Sequence, residues 1–143
     1  TVPSYKFFCH TVLQRKEDRK KGQVFNSEHA KETISILDNF FKKANIKGVT
    51  FFRIAYNFTF NLGADKSFIH TDHYFDHSQA IIYLTDTLDK KSATVLVNKK
   101  GRVVEKSYPE KDKGIIFDKH PHYQVFPKKG ARLVLVATFK INE

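Results

Sequence analysis

The sequence predicts a mainly β protein, a β-sandwich or jelly roll, with one helix ahead of the strands. Fourteen phenylalanines and six tyrosines among 143 residues suit a β-rich core. After Gly48, seven segments rich in β-branched and aromatic residues are separated by Gly, Asn, Asp or Lys turns. Before Gly48, one stretch has convincing helical periodicity. One helix followed by a run of short strands is typical of a two-sheet β fold.

The helix is predicted from about residue 27 to residue 44. Leu37 and Phe41 belong to an apolar face that repeats at helical spacing. Asn26 or Ser27 can cap the start of the helix, because short polar side chains accept hydrogen bonds from its first free N–H groups. Gly48 follows the last turn and ends the segment.

Eight strands are predicted, one before the helix and seven after it, with a tight hairpin connection at NKKG (98–101). They are YKFFCHTVL (5–13), VTFFRIAYNFTF (49–60), SFIHTD (67–72), SQAIIYLT (78–85), SATVLVN (92–98), GRVVEKSY (101–108), KGIIFD (113–118) and ARLVLVATFK (131–140). We expect residues 1–143 to form a single domain whose jelly-roll core spans about residues 49–140.

The charge balance leaves two kinds of partner open. With 25 basic and 15 acidic residues, the net charge of +10 would attract nucleic acid or another polyanion. Most basic residues are lysines scattered through loops, and the densest run, RKEDRKK (15–21), is interrupted by two acids. A solvated lysine-rich surface is therefore the favoured interpretation, because nucleic-acid footprints are usually clustered and rich in arginine.

The single cysteine, Cys9, excludes an intrachain disulfide and is interpreted as a small buried hydrophobe. The sequence contains neither a signal peptide nor an apolar run of membrane-spanning length. These features predict a cytoplasmic protein with no membrane partner.

The segment HTDHYFDHSQ (70–79) concentrates three histidines and two aspartates in ten positions. In an extended chain His70 and Asp72 point to the same face. An imidazole nitrogen beside a carboxylate oxygen supplies two of the three ligands of the facial triad that suits redox-active Fe(II). The third ligand must come from elsewhere, and the stretch FDKHPHYQVF (117–126) offers His120 and His122.

Two further histidines, His73 and His77, would share one face of a helix, as a zinc-binding pair does. The local pattern is not helical, so we expect solvated loop residues at the mouth of the site. Arg132 begins a strongly hydrophobic strand, where a buried guanidinium beside a metal requires an anionic partner. Arg53 is interpreted as part of a solvated face.

Together, His70, Asp72, His122 and Arg132 resemble the Fe(II)- and 2-oxoglutarate-dependent oxygenases, most closely their small prolyl 4-hydroxylase-like members, which include compact phage versions. The resemblance covers roughly residues 49–140. The family's stretch with Arg and Tyr ahead of His-x-Asp is similar to RIAYNFTFNLGADKSFIHTD. Its strand ending in Tyr-Leu-Asn before Gly-Gly-x-Thr is similar to AIIYLTDTLDKKSATVLV. KGIIFDKHPHYQVFPKKGAR is similar to Gly-hydrophobic-Phe-Asp followed by Pro-His and Gly-x-Arg. The sequence departs from the family at KKSAT, which replaces Gly-Gly, and at Val134, where Ser or Thr is usual.

The resemblance implies a double-stranded β-helix, a jelly roll with the N-terminal helix packed on the sheet. It implies iron ligation by His70, Asp72 and His122, with His120 still open as the alternative to His122. The same resemblance gives roles to three cosubstrate-binding residues: Arg132 on the distal carboxylate of 2-oxoglutarate, and Tyr56 and Tyr83 in the pocket wall. Thr94 matches the family's Thr without an assigned role.

The implied activity couples oxidative decarboxylation of 2-oxoglutarate, to succinate and CO₂, with hydroxylation of a C–H bond in a prolyl or other peptidyl side chain. The implied cofactors are Fe(II), 2-oxoglutarate and O₂, and ascorbate is a further candidate. A peptide or protein is the expected partner, and a phage-encoded member would act in the host cytoplasm.

Three alternatives remain. A nucleic-acid-modifying dioxygenase of the same family usually carries a second arginine soon after the first, and none follows Arg132. A catalytically silent jelly-roll binding module would have a broken ligand set. A cupin-like metalloenzyme that does not use 2-oxoglutarate would not need Arg132.

Overall fold

The computed structural model describes residues 7–19, 25–61 and 63–143. This part of the chain contains one α-helix, a single 3-10 turn at Lys16–Asp18 and eight strands. In chain order the elements are β1 (Phe8–Leu13), α1 (Ala30–Lys43), β2 (Val49–Phe60), β3 (Ser78–Tyr83), β4 (Thr94–Val97), β5 (Val103–Ser107), β6 (Gly114–Asp118), β7 (His122–Gln124) and β8 (Ala131–Ile141).

The larger sheet has five antiparallel strands in the order β1-β2-β8-β3-β6. Its centre is the long β2–β8 pair, in which Val49 lies opposite Ile141 and Phe60 opposite Ala131. These two strands are rich in β-branched, aromatic and other apolar residues, which suits a pleated surface buried on both sides. The sheet therefore needs a covering layer on each face.

Helix α1 covers one face of the larger sheet. Leu37 and Phe41 on its apolar side pack against Ile54, Leu135 and Phe139 of the sheet. The observed helix starts three residues later than predicted, and its N-cap is His29, without a side-chain cap, rather than Asn26 or Ser27. Ser27 instead accepts the N–H of His29 at 3.1 Å in the turn before the helix. Asn45, with a φ of 56°, ends the helix in the left-handed conformation that asparagine tolerates.

Gly114 at the start of β6 allows a close approach of the helix. A Cβ atom at this position would lie 2.0 Å from the Phe40 ring, which is far inside van der Waals contact. The glycine is therefore required by the packing of α1 and not by its own φ angle.

The smaller sheet has three strands in the order β5-β4-β7 and covers the other face. The predicted hairpin at 98–101 joins β4 to β5, with Gly101 N–H donating to the Asn98 carbonyl at 2.9 Å. Between the two sheets lies a second apolar cluster, which includes Ile81, Leu96 and Val136. Two sheets face to face, with a helix outside one of them, confirm the predicted jelly-roll fold class.

Three local predictions need correction. SFIHTD (67–72) is not a regular strand: it meets β7 only through isolated bridges at Lys66–Val125 and His70–His122. Between those bridges the Ser67 hydroxyl takes the place of a backbone group, accepting the Gln124 N–H at 3.0 Å. The prediction also missed β7 itself.

Cys9 is exposed and not buried, because β1 is an edge strand whose outer positions have no covering layer. Positions 5 and 6 of the predicted first strand lie outside the described residues. No helix in the described ranges combines the length and apolar character needed to cross a bilayer.

Candidate functional site

Three side chains that could hold a metal ion meet between the two sheets. His70, Asp72 and His122 each offer one donor atom, and these atoms all lie within 4.8 Å of one another. His70 Nε2 is 3.5 Å and His122 Nε2 is 3.3 Å from the same oxygen, Oδ1 of Asp72. The structure brings His122 into this cluster and leaves His120 exposed on the preceding turn.

Backbone pairing explains why these distant residues meet. The N–H of His70 donates to the His122 carbonyl at 3.0 Å, and the N–H of His122 donates to the His70 carbonyl at 2.9 Å. This reciprocal antiparallel bridge places the two side chains on the same face. Their rings lie with centroids 4.5 Å apart.

Both imidazoles are oriented by main-chain carbonyls. Nδ1 of His70 donates to the Phe68 carbonyl at 3.0 Å, and Nδ1 of His122 donates to the His120 carbonyl at 2.8 Å. A carbonyl only accepts hydrogen bonds, so each Nδ1 carries a proton. Release of a proton from Nε2, the nitrogen that faces Asp72, therefore leaves the lone pair there, in the tautomer that binds a metal.

The carboxylate of Asp72 uses its two oxygens differently. Oδ2 is 3.3 Å from Nη1 of Arg53, while Oδ1 faces the two histidines. Burial raises the pKa of Asp72, but hydrogen bonds from His122 and His70 and the nearby charge of Arg53 outweigh it and hold that pKa well below its usual range. The ionised carboxylate is thus available as an oxygen ligand.

The pKa of His70 is raised, chiefly by its hydrogen bond to Asp72, and burial only partly opposes this. A proton and a metal cation compete for the same Nε2 lone pair. The site therefore favours positive charge at the position that all three donors face.

Arg132 is the most deeply buried charge near the cluster, with 3% of its surface exposed. Nη1 donates to Gln124 Oε1 at 2.5 Å and Nη2 donates to Thr94 Oγ1 at 2.6 Å, whereas Nε has no partner. In the described part of the chain no carboxylate lies within 4.0 Å of this guanidinium. Burial lowers the pKa of Arg132, which expresses the cost of a charge without a counterion.

Tyr83 packs beside Arg132, but it is fully buried and is not among the residues that line the cavity. Its ring centroid is 5.5 Å from the guanidinium carbon, and its hydroxyl is 2.9 Å from Thr94 Oγ1 and 3.1 Å from the Ser107 carbonyl. Thr94 thereby contacts both the arginine and the phenol. This position gives Thr94 a structural context that the sequence alone lacked.

Tyr56 is not brought to this pocket. It lies on the opposite face of β2, where its hydroxyl is 2.7 Å from Thr33 Oγ1 of helix α1. Side chains alternate between the two faces of a strand. Because Arg53 and Asn57 face the cavity, Tyr56 faces the helix.

The cluster and Arg132 share one cavity of about 110 Å³. Besides the predicted residues, its wall includes Arg53, Asn57 and Gln79, which sequence reasoning did not assign to the site. Arg53 was expected in solvent but is buried against Asp72. The alternation of residues in RIAYNFTF could have grouped Arg53 with Asn57 on one face, but not shown that this face meets the cavity.

His73 and His77 are buried rather than solvated, and they do not join the cluster. Nδ1 of His73 is 2.7 Å from Glu17 Oε1, and its Nε2 is 2.7 Å from Thr138 Oγ1. The interaction fastens the 3-10 turn to the segment that follows Asp72. The local sequence could not show this, since Glu17 lies more than fifty positions earlier.

No protein-family model and no curated protein sequence matches this chain. Solved structures do. A 2OG-Fe(II) oxygenase family oxidoreductase from Burkholderia pseudomallei matches with a TM-score of 0.74 at 15% identity, covering 96% of this chain and 67% of that one. A viral collagen prolyl hydroxylase from Paramecium bursaria Chlorella virus-1, solved as a 2OG complex, matches with a TM-score of 0.59 at 14% identity, covering 94% and 78%.

A prolyl-4-hydroxylase from Pseudomonas putida gives a TM-score of 0.55 at 13% identity, covering 92% of this chain and 78% of that one. The three similarities extend over nearly the whole chain, although the sequences have diverged widely. The resemblance seen in the sequence is thus confirmed at the level of the fold. The chain has the fold of solved 2OG-Fe(II) oxygenases and prolyl hydroxylases.

Proposed function

We propose that this protein is a non-haem Fe(II) dioxygenase that uses 2-oxoglutarate to hydroxylate a substrate, with a prolyl or other peptidyl side chain as the target. One observation carries the proposal. A cluster of two imidazoles and one carboxylate shares a small cavity with a buried arginine that has no carboxylate partner among the described residues.

The donor set fits Fe(II). Two neutral nitrogen donors and one anionic oxygen donor match the 2-His-1-carboxylate arrangement, which leaves positions open for other ligands. Nε2 of His70, Nε2 of His122 and Oδ1 of Asp72 would hold the metal. Arg53 would keep the second oxygen of Asp72 away from it.

The cavity also fits a dicarboxylate. Arg132 would bind the distal carboxylate of 2-oxoglutarate through its free Nε–H and neighbouring N–H groups, since a guanidinium can form paired hydrogen bonds with a carboxylate. Thr94 would complete this end of the pocket, held from behind by the Tyr83 hydroxyl at 2.9 Å. The apolar side chains of Ile81 and Val134 line the wall and would exclude water.

When bound, iron supplies the redox chemistry that couples decarboxylation of 2-oxoglutarate to succinate and CO₂ with insertion of one atom of O₂ into a substrate C–H bond. The protein's own residues would orient the metal ligands and the cosubstrate. Main-chain carbonyls set the tautomers of the histidines, and Arg132 sets the direction of the cosubstrate. Ascorbate remains a candidate reductant.

A peptide is the favoured substrate because two of the similar structures are prolyl hydroxylases. The net charge of +10 is the observation behind the second candidate, a nucleic acid. We treat residues 1–143 as one catalytic domain. We place it in the cytoplasm, since a lone cysteine offers no intrachain disulfide.

The test is anaerobic absorption spectroscopy of the metal-free protein, titrated first with Fe(II) and then with 2-oxoglutarate. We expect a visible metal-to-ligand charge-transfer band that His122→Ala abolishes. The matched control is His120→Ala, which removes an exposed imidazole two residues away and should retain the band. Absence of the band in wild-type protein that demonstrably binds iron would refute the use of 2-oxoglutarate.

A second measurement separates an enzyme from a silent binding module. In air, the iron-loaded protein should convert 2-oxoglutarate to succinate slowly even without substrate. A band without any succinate would indicate a module that binds both ligands but does not turn over.

A further inference from the structure

The charges that line the cavity do not balance. Among the described residues, its wall carries three guanidinium groups, Arg15, Arg53 and Arg132, against the single carboxylate of Asp72. Adding Fe(II) and the dianion 2-oxoglutarate leaves this difference unchanged. The loaded site would therefore retain an excess of positive charge.

Two of the three arginines have an anionic partner in the proposed complex. Arg53 is 3.3 Å from Asp72, and Arg132 would bind the distal carboxylate of the cosubstrate. Arg15 has neither assignment. It contributes positive charge at the end of the cavity where β1 leads into the 3-10 turn.

Arg15 is held beside the reacting centre and not merely near it. Its Nη1 donates to the main-chain carbonyl of Asp72, the residue whose carboxylate belongs to the cluster. A guanidinium has five N–H donors in a planar fork, so this single bond leaves other donors for a ligand. The side chain is only partly buried, which keeps those donors accessible from the cavity.

Arg15 forms no ion pair with an acid of the described residues. No carboxylate of the described residues lies within 4.0 Å of it, and the undescribed residues (1–6, 20–24 and 62) include no Asp or Glu. Glu17, two positions along the chain, is already bonded to His73 at 2.7 Å. That bond ties Glu17 to His73, and the charge of Arg15 acts on Glu17 only through space, without an ion pair within 4.0 Å.

The cavity also offers aromatic surface that suits a peptide. The aromatic side chains of Phe7 and Tyr123 line it, and the Lys66 ammonium lies 4.9 Å from the Tyr123 ring centroid. Aromatic faces pack well against the apolar parts of a peptide. Arg15 belongs to the basic run at 15–21, so a nucleic-acid backbone, which is usually bound by a row of cationic side chains, is the competing ligand that the experiment must separate from a peptide.

We propose that Arg15 binds the side-chain carboxylate of an acidic residue next to the hydroxylated position, so that the protein selects acidic peptides. This inference rests on the proposed function and adds the substrate class. It makes Arg15 a substrate-binding residue, distinct from the arginine that anchors 2-oxoglutarate. The Asp72 carbonyl fixes where the substrate carboxylate lies relative to the metal position.

The experiment uses pooled peptides with a central proline, lysine or asparagine, acetylated and amidated so that side chains supply the only carboxylates. One pool carries Asp or Glu beside the central residue, the second carries Asn or Gln there, and the third carries Lys. Each pool is incubated with iron-loaded protein, 2-oxoglutarate and air. Hydroxylated peptides are counted by the gain of one oxygen atom in mass spectrometry.

We expect the acidic pool to react about tenfold faster than the amide pool, the ratio for a charge-assisted hydrogen bond worth about 1.4 kcal/mol. The lysine pool should react more slowly still. Arg15→Gln should remove the preference for acid while retaining the charge-transfer band with Fe(II) and 2-oxoglutarate. Arg102→Gln, which removes an exposed arginine of the β4–β5 hairpin, should behave as wild type.

Equal rates in the three pools would overturn the inference, and so would an acid preference that persists in Arg15→Gln. An acidic pool that stays unmodified, while a single-stranded oligonucleotide pool gains oxygen, would also overturn it in favour of a nucleic-acid substrate. An acidic pool that stays unmodified by protein with an intact charge-transfer band counts against it as well. Loss of that band in the wild type would instead refute the proposed function.

Discussion

Substitution of Arg132 by methionine separates a ligand-binding charge from a structural one. The guanidinium is almost fully buried, one of its nitrogens has no partner, and no carboxylate of the described residues reaches it. Truncating one partner of a buried, hydrogen-bonded charge pair costs roughly 2–5 kcal/mol of binding. The dissociation constant for 2-oxoglutarate should therefore rise by roughly thirtyfold to several thousandfold.

The ligand-free protein should respond differently. Methionine fills similar space without a charge, so relief of the desolvation cost offsets the two hydrogen bonds lost to Gln124 and Thr94. We expect the free energy of unfolding of ligand-free Arg132→Met to stay within about 1 kcal/mol of wild type. A stability change this small would identify the arginine as a binding group.

The assay is urea denaturation with and without 2-oxoglutarate, in the presence of a redox-inert divalent metal. At a concentration one hundred times the wild-type dissociation constant, the ligand should stabilise wild type by about 2.7 kcal/mol and the variant by under about 1 kcal/mol. Arg102→Met is the matched control and should gain as much as wild type. Equal ligand stabilisation of Arg132→Met and wild type would refute the role of the arginine as anion anchor.

Three further predictions address packing, pH and the two tyrosines. Gly114→Ala should cost about 1–3 kcal/mol in chemical denaturation, because its Cβ would overlap the Phe40 ring, and a Phe40→Ala background should remove most of that cost. Burial lowers the pKa of His73 below 6.5, although its partner Glu17 acts in the opposite direction. The unfolded chain therefore binds the proton first, and the free energy of unfolding should fall as the pH drops below 6.5. If the free energy of unfolding of His73→Gln fell with decreasing pH as steeply as that of wild type, this assignment would be wrong. Tyr83→Phe should weaken the binding of 2-oxoglutarate measured by calorimetry, because it removes the hydroxyl that contacts Thr94. Tyr56→Phe should leave that binding unchanged and lower the free energy of unfolding by about 1 kcal/mol. The reverse pattern would contradict the placement of the two phenols.

Local pattern alone determined much of this fold. The predicted and observed bounds of β2, residues 49–60, coincide, because β-branched and aromatic residues make up most of the strand and stand at both of its ends. The helix was predicted to within three residues at its start and one at its end, since its apolar spacing and the residues that end it are local. His70 and Asp72 were paired from the spacing of two positions, which an extended chain turns into a shared face.

The tertiary structure decided which strand face and which histidine point into the cavity, where the local sequence allows two possibilities. Alternation along β2 shows that Arg53 and Asn57 share one face and Tyr56 the other, but not which face meets the helix. The family resemblance favoured His122 but left His120 open, and the backbone bridge between His70 and His122 is what brings His122 into the cluster.

Long-range packing also decides which side chains are buried. His73 is inside and Cys9 outside because of what covers them, and the covering residues are distant in the chain. A sequence specifies the period of a strand through short-range sterics. The side of the strand that becomes interior is set by long-range packing, and this is why the candidate ligand types were readable from the sequence while their arrangement was not.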